Sequence, residues 1–215
     1  YINEASDLVK YSKSKNKVLM VGHLLQYHPC IKKIKELIKQ NKIGDIHYIS
    51  SNRLNLGKFR KEENSLWSLA PHDFSVILSL MDNQLPEIIQ SVGGAYLKKN
   101  LPDTTVTNMK FRNGARAHVY VNWLNPFKEQ KLTIIGSEGM IVFDDMKSWN
   151  EKLVIYDQKL ALSNNNLSKK DRNYIKYINT EEREPLLIEC EHFINCCINN
   201  SKPLTCGDEG MRVLT

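Results

Sequence analysis

Between residues 87 and 156 the chain reads as six short strands: Glu87 to Leu97, Thr104 to Phe111, Ala115 to Leu124, Gln130 to Gly136, Met140 to Phe143 and Lys152 to Tyr156. The gaps between them are shorter than the dozen or so residues that a parallel crossover needs, so neighbours in sequence must pair antiparallel. The segment "RNGA" carries Asn113-Gly114, the strongest short hairpin signal. "GSEG" at 136–139 has the composition of a phosphate-binding loop. Strands flank it on both sides and no helix follows, so it reads as a hairpin turn.

Upstream the period differs. Residues 3–14 read as a helix with Ala5, Leu8 and Val9 on one face, and "KVLMVGH" as a short buried strand ending at Gly22. A helix feeding a buried strand is how a parallel α/β unit ends. "HPCIKKIKELIKQNKIGD" places Pro29 at a first helical position, Ile31, Ile34, Leu37 and Ile38 on a stripe, and Gly44 as the stop. "DIHYISSNRLNL" alternates as a strand. The polar loop "GKFRKEENS" then leads to a helix opening at residue 71, which buries Phe74, Ile77, Leu78 and Met81. Residues 158–182 form a polar loop around the strand "YIKYIN", and two helices, "EPLLIECEHFINCCINN" and "CGDEGMRVLT", end the chain. The expected class is α+β: an open, largely antiparallel mixed sheet with helices on one face, preceded by the tail of a parallel domain.

Charge and cysteine content narrow the function. The formal net charge is +6, but the lysines are scattered: Lys32, Lys33, Lys35 and Lys39 on one helix, Lys98 and Lys99 in a turn, Lys169 and Lys170 in a loop. A nucleic-acid binder gathers Arg and aromatics on one face, so no nucleic-acid partner is expected; a basic groove for phosphate-bearing ligands is the alternative. No apolar run approaches the roughly 20 residues that cross a bilayer, and no secretory leader is visible. Five cysteines without CxxC spacing, with Cys190 and Cys197 flanking Phe193 on one helix, read as buried free thiols in a reducing, cytoplasmic compartment. Glu189, His192 and Cys196 share a helical face but lack a second ligand cluster, so no metal is expected.

Several polar and aromatic side chains interrupt this pattern. Arg53 breaks a strand whose one face is covered by helices, so it needs an anionic partner: a ligand, or an internal Asp73, Asp144 or Asp145. Arg60 in the following loop and Lys128 after "WLNPF" are further cations. Trp67 and Trp123 offer indole faces for stacking or fill the core. His72, in the first turn of a buried helix, suits proton transfer, and the positive helix end favours its neutral form. A histidine that merely caps a core helix is the competing reading. Asp73 beside it reads as a structural partner of the helix dipole.

Four blocks, "VLMVGHLLQYHPCIKKIKELI", "SNRLNLGKFRKEENSLWSLAPHDFSVIL", "VNWLNPFKEQKLTIIGSEGMIVFDD" and "EPLLIECEHFINC…KPLTCGDEGMRVL", span almost the whole chain. In their order it resembles the second half of the Gfo/Idh/MocA oxidoreductases, nearest to the nucleotide-sugar 3-dehydrogenase branch (UDP-N-acetylglucosamine or glucuronate type). The resemblance implies that residues 1–22 are the remnant of an N-terminal Rossmann domain, and residues 23–215 a C-terminal domain that binds substrate and joins subunits. NAD or NADP would be held mainly by the Rossmann domain, whose GxGxxG turn and Glu-Lys-Pro stretch do not occur in this chain, which alone is expected to be inactive. His72 matches the catalytic histidine. Ser68 stands where many members carry an aspartate, and with Arg53, Arg60, Trp67, Trp123 and Lys128 it falls to the substrate side. His23 and Gln26 lie where the family's chain passes the nicotinamide. The substrate would be a sugar or nucleotide sugar, and the assembly a homodimer or homotetramer through the sheet face. Ser68 also supports an alternative, a binding or assembly module without catalysis.

Overall fold

Alternation along each strand builds the core row by row. The computed structural model describes residues 1–57, 60, 62–157, 162–163, 166–167 and 175–215. Its main sheet joins β1 (Ile46–Leu54), β2 (Ile88–Gly94), β3 (Thr104–Lys110), β4 (Arg116–Asn122), β5 (Glu129–Gly136), β6 (Met140–Asp144), β7 (Leu153–Tyr156) and β10 (Ile175–Tyr177). Two-residue pieces β8 (Leu162–Ser163) and β9 (Asn166–Leu167) pair apart from it. The order is β10-β7-β6-β5-β1-β4-β3-β2, with β1–β4 parallel and the other pairs antiparallel.

Register aligns Met109, Ala117, Ile49, Ile134, Ile141 and Ile155 in one line across six strands, and all six are buried. Helices α2 (Pro29–Lys39) and α4 (Pro71–Leu80) lay Ile31, Ile34, Val76 and Ile77 into the same core. A pair joined in parallel cannot close through a tight turn. The chain therefore leaves β1, runs through α3 (Ser65–Leu69) and α4, and returns at the far edge as β2. That excursion sets α4 on the covered face. On the opposite face the register lines up Asn108, His118, Ser50, Thr133, Val142, Val154 and Tyr177. No helix of the described residues is long and apolar enough to cross a membrane.

Four local readings change. "KVLMVGH" is not a strand: residues 17–22 have one bridge to the last segment, Met20–Cys206, with Val21 N–H donating to Thr205 O at 2.7 Å, and an isolated edge with one short partner forms no sheet. α2 stops at Lys39 rather than at Gly44, because Asn41 takes the left-handed conformation (φ 57°) just past its end. The loop before α4 contains α3, capped by Asn64, whose side-chain oxygen accepts from Trp67 N–H at 2.9 Å.

The fourth change is α5 (Pro185–Ile198). It turns Glu189 and Cys196 inward and leaves Leu186, Leu187, Ile194 and Ile198 outside. Cys190 and Cys197 are consequently exposed, whereas Cys30, Cys196 and Cys206 are the buried free thiols. Lys169 and Lys170 lie outside the described residues, as do residues 58, 59 and 61 of the loop after β1.

The "RNGA" and "GSEG" turns are both hairpin connections. Gly114 supplies a positive φ of 88°, and Phe111 N–H closes the first turn on Ala115 O at 2.9 Å. In the second, Gly136 lies so close to the loop between α2 and β1 that a Cβ would meet Ile43 O at 2.1 Å. Backbone cannot yield as a side chain can, so Gly136→Ala should cost about 1–3 kcal/mol. At roughly 2–4 °C per kcal/mol for a chain of this size, the Tm should fall by several degrees. Gly22→Ala, with nothing within 4 Å of its Cβ, is the control in the same thermal melts. Equal midpoints for the two variants would refute the close approach.

Candidate active site

Two helix starts in succession place His72. Ala70 ends α3 and opens α4, Pro71 takes the first helical position, and His72 follows on the inner side of the first turn. Asp73, 4% exposed, faces β1. It accepts from Ser51 Oγ at 2.7 Å, Arg53 Nε at 2.7 Å and Arg53 Nη2 at 3.2 Å. Burial opposes the guanidinium charge, but the charge and hydrogen bonds of Asp73 outweigh it and raise the Arg53 pKa. With its amide turned to suit its neighbours, Gln130 accepts from Arg53 Nη1 at 3.2 Å and donates to Asp145 at 2.9 Å. Of the anions open to Arg53, the internal Asp73 is the one the structure supplies. Asp73 is thus an ion-pair partner rather than only a helix-dipole residue.

His72 is pushed down to about 4. Burial is the main cause, the Arg53 guanidinium and the neighbouring His23 add to it, and Asp73 offsets them only in part. The imidazole is therefore neutral at pH 7. Its Nδ1 is buried without a hydrogen-bond partner. The His23 ring stands edge-on, with centroids 6.2 Å apart and planes at 80°.

Behind His23 runs a chain of buried polar groups. His23 Nδ1 lies 2.7 Å from Glu209 Oε2, Ser75 Oγ donates to Glu209 Oε1 at 2.5 Å, and Gln26 Nε2 donates to Ser75 Oγ at 2.8 Å. Lys35 Nζ closes the chain on Gln26 Oε1. Glu209, on α6 (Gly207–Leu214), was not picked out by sequence, since two acids opening a helix read as solvated dipole partners. The signal available was Gly207 and Gly210, which bracket it. A Cβ at either would strike Val9, Leu19 or Val21, which marks that face as the packed one.

The other expected residues divide. Gln26 is 2% exposed with both ends of its amide bonded inside the protein, so it presents nothing to a cofactor. Trp123 is 3% exposed and its indole N–H donates to Asp103 at 2.6 Å. That burial leaves no ring face for a sugar, a correction to the stacking expectation. Trp67 is 57% exposed, at the rim of an apolar groove of about 540 Å³ that also takes in Leu8, Val21, His23, Phe74 and Met109. Ser68 is half-buried in α3. Arg60 is exposed and paired with Glu63 at 3.2 Å, and Lys128 is exposed beyond Phe127. Thus His72, His23, Arg53 and Gln26 come together, while Arg60, Lys128 and Trp123 do not join them.

Among the described residues no group of three or more His, Cys, Asp or Glu side chains could hold a metal ion. His192 Nε2 accepts from Leu204 N–H at 3.0 Å and lies 3.4 Å from Cys196 Sγ.

Residues 31–142 match the family model described as the GFO/IDH/MocA C-terminal domain. Over 156 residues the chain is 21% identical to "Uncharacterized oxidoreductase YrbE" of Bacillus subtilis (strain 168), covering 68% of this chain and 46% of that protein. The solved UDP-N-acetylglucosamine 3-dehydrogenase GnnA from Acidithiobacillus ferrooxidans superposes with a TM-score of 0.81 at 22% identity, over 99% of this chain and 64% of that one. An inositol dehydrogenase homolog from Azotobacter vinelandii, solved with NAD+, gives 0.79 at 14% identity over 99% and 64%. At such identities the structural likeness speaks for the fold, and the chain spans about half the length of the curated relative it matches. The family match covers more than half of the sequence, and on that ground the chain belongs to the GFO/IDH/MocA C-terminal domain family.

Proposed function

We propose that this chain is the substrate-binding and subunit-contact part of a nicotinamide-dependent oxidoreductase acting on a hydroxyl of a sugar or nucleotide sugar. In this reading residues 1–22 belong to a Rossmann domain and residues 23–215 form the C-terminal domain. The observation that carries it is His72: half-buried, neutral, fixed in a first helical turn, with a buried, unpartnered Nδ1. Relatives named as a nucleotide-sugar dehydrogenase and as an NAD+-bound dehydrogenase homolog support the reaction class.

The residues present suit such a cofactor at one point. His23 lines the groove next to His72 with one ring nitrogen engaged by Glu209, whereas Gln26 has no free group to offer. NAD or NADP, if bound, would supply the hydride acceptor for the sugar carbon. His72 receives the hydroxyl proton, and a weak base suffices because the hydroxyl becomes steeply more acidic as the carbonyl forms. Arg53, anchored by Asp73, backs His72 and opposes its protonation. Ser68 supplies a hydroxyl one turn before His72, and Trp67 an exposed indole at the groove's rim. Arg60 and Lys128 offer exposed charge to a diphosphate or uronate. Free thiols suit a reducing, cytoplasmic setting. The serine at position 68 also favours a second reading, a binding module without turnover.

In the protein carrying its cofactor domain, His72→Ala should lower kcat by about 10²–10⁴ with KM little changed. The wild-type kcat/KM should hold from pH 7 down to about 5 and decline toward 4, as the base becomes protonated. Steady-state kinetics across pH test both, and a loss under about fivefold would favour the non-catalytic module.

The sheet's open face generates the assembly proposal. Tyr48, Tyr120, Ile135, Val142 and Tyr156 sit half-buried on it, the face opposite the one α2 and α4 cover. A symmetric second copy covers such a face most economically. Light scattering of the purified chain should give at least a dimer at micromolar concentration, and a monomer there would overturn this.

A further inference from the structure

Asp73, the only acid beside His72 in the first turn of α4, is taken up by Arg53 and Ser51, and position 68 on α3 is a serine. No acid from the local chain is therefore free to organise the imidazoles. An acid reaches them from α6 instead. Glu209 is 7% exposed, and a run of hydrogen bonds points toward it: Lys35 donates to Gln26, Gln26 to Ser75, and Ser75 to Glu209. That run has one polarity and leaves Oε1 of Glu209 as its terminal acceptor. Its second oxygen is left for His23 Nδ1.

We propose that Glu209 is the positioning acid of this site, holding the proton of His23 on Nδ1 and the His23 ring edge-on to His72. The inference rests on the reading of His72 as proton acceptor. A carboxylate on one ring nitrogen sets the tautomer and the orientation of an imidazole, so Nε2 of His23 keeps its lone pair. Depth is set by packing: α6 approaches α1 (Ile2–Ser14) and residues 19–21 closely enough that neither Gly207 nor Gly210 has room for a Cβ. The titratable groups around the cluster are Glu209, Lys35 on α2, Glu189 on α5, Tyr27 and His72, and of these Glu189 also interacts with His23.

The test is histidine side-chain NMR on the full 215-residue chain, wild type, Glu209→Gln and Ser75→Ala. In the wild type His23 should appear as the Nδ1–H tautomer. Glu209→Gln should release that tautomer and shift the ring-nitrogen resonances of His23. Ser75→Ala keeps the His23–Glu209 contact and should leave the His23 tautomer unchanged. An Nε2–H tautomer in wild-type His23 overturns the proposal even if Glu209→Gln does not fold, and so does a folded Glu209→Gln with an unmoved His23 tautomer. Neither readout involves turnover. A kinetically silent His72→Ala therefore sinks the proton-acceptor reading, while an unchanged Glu209→Gln spectrum sinks this proposal alone.

Discussion

A charged pair in an apolar layer holds the site together. Across the sheet Arg53 stands in line with Thr105, Val121 and Gln130, under helices that otherwise bring aliphatic side chains. Its guanidinium is tolerated there because Asp73 meets it with two hydrogen bonds, and Gln130 and Asp145 extend the arrangement. Removing either partner alone would strand the other charge, at about 3–5 kcal/mol. The pair also has a geometric role: it ties the first turn of α4 to the end of β1. His72, one residue before Asp73, inherits its position from that tie.

Asp145 continues the same network on the other side. Burial raises its pKa, yet hydrogen bonds and charge from His28 and Lys152 overcome that and bring it to about 2. His28 accepts from Cys30 N–H at the start of α2 through Nδ1 and reaches Asp145 through Nε2. One imidazole thereby caps a helix and steadies the acid that faces Arg53 through Gln130.

What could be read in advance followed from period, and what could not depended on partners. β2 to β7 were legible because side chains alternate and the turns are too short for anything but antiparallel return. The order of β1 between β5 and β4 was not, since no local signal tells a strand which distant neighbours it will have. α5 carried a helix pattern whose direction was ambiguous, and its polar stripe faces inward to meet Tyr27 and the α6 region. At the site the need of Arg53 for an anion was visible in sequence, but the choice of Asp73 was a matter of distance. Trp123 and Gln26 looked available until Asp103, Ser75 and Lys35 were seen to occupy their polar groups. Glu209 had the weakest signal of all, two glycines whose meaning is steric.

The closing of this cluster joins positions from near both ends of these 215 residues. His23 and Glu209 are 186 residues apart, Tyr27 and Thr205 are 178, and Ser75 and Glu209 are 134. Contacts of such separation form late, after local strands and helices have shortened the effective loop. On a ribosome the sheet and α4 can be in place while His23 still lacks its anion, because α6 follows them all in the sequence. The imidazole pair thus acquires its partner only once α6 has been made, and a polypeptide cut short before α6 would display the scaffold of the site without its electrostatics.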